Sequence, residues 1–256
     1  MEARTAIVTG ASRGIGRAIA LRLARDGAHI VLCARDRDAL DRTVLEIGQA
    51  GGRAIAVSLD LRLPDAAAQV VAVALGGFGA IDILVNNAGA TTRADFEQLS
   101  DEEWMDGFAL KFFGAVRLAR AAWPHLKQHS GSVINIGGVG GRTPGPQFAI
   151  GGSVNAALLS FTKSLADVGV RDGVQVNAIN PGPVRTARLE RRLAAEAAAT
   201  GTDIAEAARN FVRDAKITRL GDPEDIANLV SFVVSPAGRL LQGSLIDMDG
   251  GQTKTL

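Results

Sequence analysis

Thr9-Gly10-Ala11-Ser12-Arg13-Gly14-Ile15-Gly16 is the stretch on which the reading of this chain turns. It follows a short β-branched run, Thr5-Ala6-Ile7-Val8-Thr9, and opens a segment with helical periodicity. Glycines let the backbone tighten from strand into helix. They also let main-chain N–H groups approach a pyrophosphate, which the partial positive charge of a helix N-terminus favours. A glycine pattern alone describes any tight strand-to-helix turn. Placed between a strand and a helix at the start of an alternating chain, it reads as a dinucleotide site.

Outward from this turn, β-branched runs alternate with helical patterns. The expected strands are 5–9, 29–33, 54–58, 81–85, 132–136, 174–179 and 244–248. The expected helices lie at about 14–26, 37–50, 64–76, 101–129, 152–168, 187–213 and 223–235. Ser100 with Glu103 reads as a capping box opening the fourth helix. Strands apolar on both faces and separated by helices imply an α/β fold, a parallel sheet covered on each side. No linker or repeat divides residues 1–256, so one domain is expected. Residues 186–216, rich in Ala, Arg and Glu, follow Asn180-Pro181-Gly182-Pro183 at the carboxyl end of a strand, where open parallel sheets place their ligands. They are read as a lid over a cleft, the alternative being a surface helix pair.

Bulk composition excludes several classes. With 28 basic against 27 acidic residues, the net charge of +1 provides no field for nucleic acid or an anionic membrane. No apolar run reaches 18 residues, and Met1-Glu2-Ala3-Arg4 leads into a strand without a signal-peptide pattern. A cytoplasmic location is expected, and no metal site is. The single cysteine, Cys33, lies in an apolar run and reads as a small buried hydrophobe. The chain contains no tyrosine and three histidines.

Four motifs, in order, carry a resemblance. The glycine turn, Asn86-Asn87-Ala88-Gly89, Asn180-Pro181-Gly182 and Asp249-Gly250-Gly251 together resemble the short-chain dehydrogenase/reductases over residues 4–251. The resemblance implies a doubly wound Rossmann-type sheet of seven strands. It also implies a homo-oligomer, a tetramer or dimer, paired through the helices at about 101–129 and 152–168. The cofactor would meet Gly10, Ser12, Arg13, Gly14, Ile15 and Gly16 in the turn, Asp60 and Leu61 at the adenine, and Asn87, Ala88 and Gly89 along the nicotinamide-side ribose. Asn155, Pro181, Gly182 and Val184 complete that set. An acidic residue at the end of the second strand usually meets a free ribose hydroxyl, whereas arginine suits a 2′-phosphate. Ala34-Arg35 stands there, with Arg13 in the turn, so NADP(H) is favoured over NAD(H).

The family's proton chemistry is carried by S-x12-Y-x3-K after the fifth strand, supported by an asparagine on the central helix. Laid without a gap on this chain, the pattern finds Gly138 for serine, Gly151 for tyrosine and Asn155 for lysine. Lys111 stands in place of the asparagine. Lys163 falls about 80° round and about 12 Å along the helix from Asn155, and His125 about 21 Å beyond Lys111, so neither replaces the missing acid. Asp106 falls about 140° round the helix from Lys111. Lys111 and Asn155 are nevertheless the family's lysine and asparagine exchanged, and a buried lysine of lowered pKa is a possible acid or oxyanion donor. The alternative for Lys111 is drift, with the lysine pairing with an acidic neighbour or binding a carboxylate.

Residues 137–152 hold seven glycines, and loss of Ser and Tyr is expected to open volume beside the nicotinamide. Two readings stand equally: a bulky or anionic ligand occupies that space, with Lys111, Arg142, Arg185 or Arg188 as counter-charge, or the glycines serve packing or flexibility and no ligand exists. Three readings stand open: an NADP(H)-binding oxidoreductase by family with its tetrad replaced, a non-catalytic nucleotide-binding subunit or sensor, and an enzyme with non-tyrosine chemistry.

Overall fold

A computed structural model describes residues 3–254. Met1 and Glu2, part of the N-terminal stretch discussed above, lie outside the described residues. Seven strands form one parallel sheet: β1 (Thr5–Thr9), β2 (His29–Ala34), β3 (Ala54–Ser58), β4 (Ile83–Asn86), β5 (Ser132–Ile136), β6 (Gln175–Pro181) and β7 (Leu245–Met248). Their order is β3-β2-β1-β4-β5-β6-β7, with Val8 beside Val85 and Ile136 beside Ile179. The order reverses between β1 and β4, which is the switch point where such sheets open a crevice at their carboxyl ends.

Alternation along the strands explains why both faces are covered. Ala6, Val8, Ile30, Leu32, Ile83 and Val85 point into one apolar layer, which packs against α1 (Gly14–Arg25) and α9 (Pro223–Val233) through Ile19, Leu23, Ile226 and Val230. Ile7, Val31, Cys33, Leu84 and Val133 point the other way, onto α3 (Ala66–Phe78) and α5 (Gly114–Gln128) through Val70, Leu118 and Leu126. Cys33 is fully buried, and burial pushes its thiol up to about 12, so it packs as a hydrophobe. Among the described residues no helix is long and apolar enough to cross a membrane.

Three helices depart from the sequence expectation, each for a local reason. The helix expected over 101–129 is α4 (Asp101–Gly107), a π-helical segment over Phe108–Phe113, and then α5. Its start is the expected capping box: Ser100 Oγ accepts from Glu103 N, and Glu103 accepts from Ser100 N. The π segment carries Lys111, so angular positions counted at the α-helical spacing do not hold across it. The helix expected over 152–168 is longer, α6 (Ala149–Asp172). Gly151 and Gly152 are poor helix formers, but Phe148 packs onto the first and Pro144 onto the second. The expected helix over 187–213 is two, α7 (Ala187–Thr200) and α8 (Ile204–Asp214). Gly201 takes φ +67° to end α7, and Asp203 caps α8 by accepting from Glu206 N at 2.7 Å. Thr200-Gly201-Thr202-Asp203 is a stop and start signal that the alanine-rich flanks obscured.

Candidate functional site

The carboxyl ends of β1, β4, β5 and β6 meet along one edge. At β1, Gly10 and Gly14 hold φ +65° and +55°, which glycine adopts without strain. Gly16 is required by space instead: a Cβ there would lie 2.3 Å from Gly10 O and 2.5 Å from Asn87 Nδ2. Thr9 Oγ1 ties the turn to the end of β4 by accepting from the backbone N–H of Asn87 and of Ala88, each at 2.9 Å. Asn87 Nδ2 returns a bond to Thr9 O at 2.9 Å. Arg13, in extended backbone, precedes α1 without a side-chain cap, and the first turn of α1 holds no acidic residue. This cradle fits a dinucleotide pyrophosphate.

The structure brings most of the expected cofactor residues to this edge. Arg35 ends on the exposed side beyond β2, 3.8 Å from Asp60. The Asp60 carboxylate also accepts from Arg62 N and Arg62 Nη1, at 3.0 and 3.2 Å. Leu61 is buried against the second core layer. Asn180 Oδ1, at the end of β6, accepts from Gly138 N at 3.3 Å, and its Nδ2 donates to Asp247 at 2.8 Å.

Lys111 and Asn155 meet. Lys111 Nζ donates to Asn155 Oδ1 at 2.6 Å and to Gly137 O, just past the end of β5, at 2.9 Å. Its aliphatic stem runs over Gly89, where a Cβ would stand 2.9 Å from Lys111 Cδ. Burial of the ammonium pushes the lysine down to about 7, and the charge of Arg188 acts in the same direction. The alternative of an acidic partner is overturned. Asp106 is held by Arg62 instead, Nη2 to Oδ2 at 2.8 Å. Asn155 is buried, and its amide nitrogen would stand 3.0 Å from a Cβ on Gly138. The asparagine therefore fills the side-chain space at the position matched to serine.

The expected open volume is absent. The Phe148 ring lies 2.1 Å from where a Cβ on Gly151 would be and 2.6 Å from one on Gly140. The ring takes the room at the position matched to tyrosine, and the Arg93 guanidinium sits 4.0 Å over its centre. Phe148 was missed in the sequence; its signal is the glycines at 140 and 151 that admit it. Arg93 had no signal.

Two of the four candidate counter-charges are committed elsewhere. Arg142 pairs with Asp247 at 3.3 Å, and Arg185 with Asp222 at 3.6 Å. Arg188 instead donates to Gly89 O at 3.0 Å, directly beside the Lys111 stem. Lys163, set aside above on helix geometry, lies by Gly243. Among the described residues no group of His, Cys, Asp and Glu is arranged to hold a metal.

Comparison with known proteins agrees with this geometry. The family model for short chain dehydrogenase matches residues 4–197. An uncharacterized oxidoreductase of Mycobacterium tuberculosis is 38% identical over 255 residues, covering 99% of this chain and 93% of that protein. L-sorbose reductase from Gluconobacter frateurii, solved with NADPH and L-sorbose, superposes with a TM-score of 0.96 at 34% identity, covering 100% of this chain and 98% of that one. A short chain oxidoreductase from Pseudomonas aeruginosa PAO1, described as containing an atypical catalytic center, superposes at 0.92 with 29% identity, covering 99% and 98%. The chain belongs to the short-chain dehydrogenase/reductase family.

Proposed function

We propose that this chain is an NADP(H)-dependent oxidoreductase in which Lys111, not a tyrosine, handles the proton. In this reading Lys111, Gly138, Gly151 and Asn155 occupy the positions of the family's asparagine, serine, tyrosine and lysine. The observation that carries it is the Lys111 ammonium held between Asn155 Oδ1 and Gly137 O, with its pKa lowered to about 7 by burial. A proton donor works best when its pKa lies near the working pH, and an ordinary lysine is too weak an acid for that.

The glycine turn, Asn87, Ala88 and Gly89 would hold the dinucleotide, with Asp60 and Leu61 toward the adenine and Pro181, Gly182 and Val184 closing the nicotinamide end. Arg13 and Arg35 would take the 2′-phosphate, Arg35 lying 3.8 Å from Asp60. The NADPH-bound L-sorbose reductase supports that choice. NADPH, when bound, supplies the hydride for carbonyl reduction. Asn155 orients the Lys111 amine through its side-chain oxygen, and Gly137 O accepts a second proton of the same group. That leaves Lys111 one N–H to direct at a substrate oxygen. α7 and α8 act as a lid. Met105 and Phe113, 63% and 46% exposed on the outer face of the central helix, fit its burial in a homo-oligomer, and a cytoplasmic location is consistent with the reducing chemistry.

One observation favours a second reading, a nucleotide-binding subunit without turnover: Phe148 fills the tyrosine position with an inert ring. The two are separated by calorimetric titration with NADPH and NADH, followed by NADPH consumption over a panel of ketones, aldehydes and enones. Turnover lost in Lys111→Met, with NADPH affinity kept, supports the enzyme. NADPH binding with no turnover in any preparation supports the subunit.

A further inference from the structure

Among the described residues, three neighbouring arginines beside Gly89 lack acidic partners. Arg188, on the first turn of α7, holds Gly89 O at 3.0 Å. Arg93, in the loop after β4, places its guanidinium carbon over the Phe148 ring, 4.0 Å from the centroid. Arg192, one turn further along α7, stacks on Phe211 at 4.8 Å. Among the described residues no ion pair uses any of the three, and no side-chain hydrogen bond uses Arg93 or Arg192. The acid nearest to Arg93 in sequence, Asp95, accepts from Gln147 at 3.0 Å instead.

Surface arginines are usually mobile and solvated. Each of these three is held against an aromatic ring or a backbone carbonyl, with N–H groups left over for a further partner. They also repel: Arg93 is held below the ordinary arginine range by burial and by Arg192 and Arg188, and Arg188 by burial and by Arg13 and Arg191. Like charges gathered without counter-charges at a cleft mouth raise the local concentration of anions and gain most when one binds. The same cluster borders the reacting group, since Arg188 holds the carbonyl of Gly89 and Lys111 packs on its α-carbon.

We infer that Arg188 and Arg93, backed by Arg192, form a binding site for an oxyanion of the substrate, a carboxylate or a phosphate ester, carried on a carbonyl compound. This rests on the carbonyl-reducing reading above and names its substrate class. Arginine forks suit both oxyanions through paired N–H donors. Arg93 on its aromatic seat and Arg188 on Gly89 O would grip the anionic end while the carbonyl lies toward Lys111.

The test is titration calorimetry on the protein saturated with NADPH, which keeps the pyrophosphate cradle out of competition. The probes are levulinate, dihydroxyacetone phosphate and neutral 2-pentanone. At least one anionic probe is expected to bind more than about 10-fold tighter than 2-pentanone. The tighter of the two identifies carboxylate or phosphate. Arg188→Gln and Arg93→Gln are each expected to weaken that anion about 10-fold while leaving 2-pentanone unchanged. Circular dichroism and retained NADPH affinity check that each variant folds. The inference is overturned if 2-pentanone binds as tightly as both anions, or if neither substitution changes anion affinity. Should NADPH itself fail to bind, the cofactor reading falls, and the same titrations on the free protein still decide the anion site through Arg93→Gln.

Discussion

The turn between β1 and α1 and the segment from β5 into α6 line the same crevice, yet they are built on opposite principles. In the turn, glycines and backbone groups do the work: Gly16 has no room for a Cβ, and Thr9 Oγ1 bonds main-chain N–H groups of the next strand. Around α6 the work is done by side chains that complement one another: Asn155 takes the space beside Gly138, Phe148 the space beside Gly151, and Lys111 bonds Asn155. A backbone cradle tolerates almost no exchange at its close approaches. A set of interlocking side chains can change together while the fold stays the same, as volume-conserving exchanges do in cores. On the reading proposed above, that contrast is what lets the chemical edge change while the cofactor cradle stays fixed.

The contrast is broken most severely at the turn. Gly16→Val places carbon against Gly10 O, which is backbone and cannot rotate away. It is expected to abolish measurable NADPH binding by calorimetry, a loss of more than about 100-fold. If NADPH affinity survives, the cradle is not the cofactor site.

The α6 edge should respond as packing. Phe148→Ala removes the ring that fills Gly151 and Gly140 and the seat of Arg93. It is expected to lower stability by ~2–4 kcal/mol in urea denaturation, because the glycines leave a cavity rather than collapsing onto it. A loss under ~0.5 kcal/mol would mean the ring is not packed there.

Lys111 sharpens the comparison through pH. Its folded-state pKa, about 7, lies below the unfolded value, so the folded protein binds fewer protons between the two. Wild-type stability relative to Lys111→Met should therefore rise as pH increases from 7 toward 10. The penalty is fully present below 7. Discounted for partial solvent access, the rise is expected to be ~1–3 kcal/mol by denaturation at matched pH values. A flat difference would mean an ordinary exposed lysine.

The smallest effect belongs to the rim of the cradle. Arg35→Ala is expected to weaken NADPH about 10-fold and to leave NADH nearly unchanged in parallel titrations. Equal losses for both nucleotides would remove Arg35 from the 2′-phosphate.

What was legible in the sequence follows the same division. Strand alternation, the glycine turn and the Ser100–Glu103 box depend on neighbours close in sequence, and the structure holds them as read. Lys111 and Asn155 are readable as two residue types, but their bond spans 44 positions and passes through a π-helical turn that periodicity does not announce. Phe148 folding back over Gly140 and Gly151 is easily missed, since the glycines that admit the ring read in sequence as empty space. Nor does sequence tell Arg93, seated on an aromatic ring, from Arg142, spent on Asp247.

The most direct test is the pH dependence of NADPH-driven carbonyl reduction under kcat/KM conditions, with wild type beside Lys111→Met. With Lys111 as proton donor, the wild-type rate should be level below about pH 7 and fall about 10-fold per unit above it. Lys111→Met should be lower by about 10²–10⁴ at pH 6.5, with no break near 7 and unchanged NADPH affinity. A wild-type profile without that break, or a Lys111→Met enzyme with wild-type rates, would contradict a lysine-centred site.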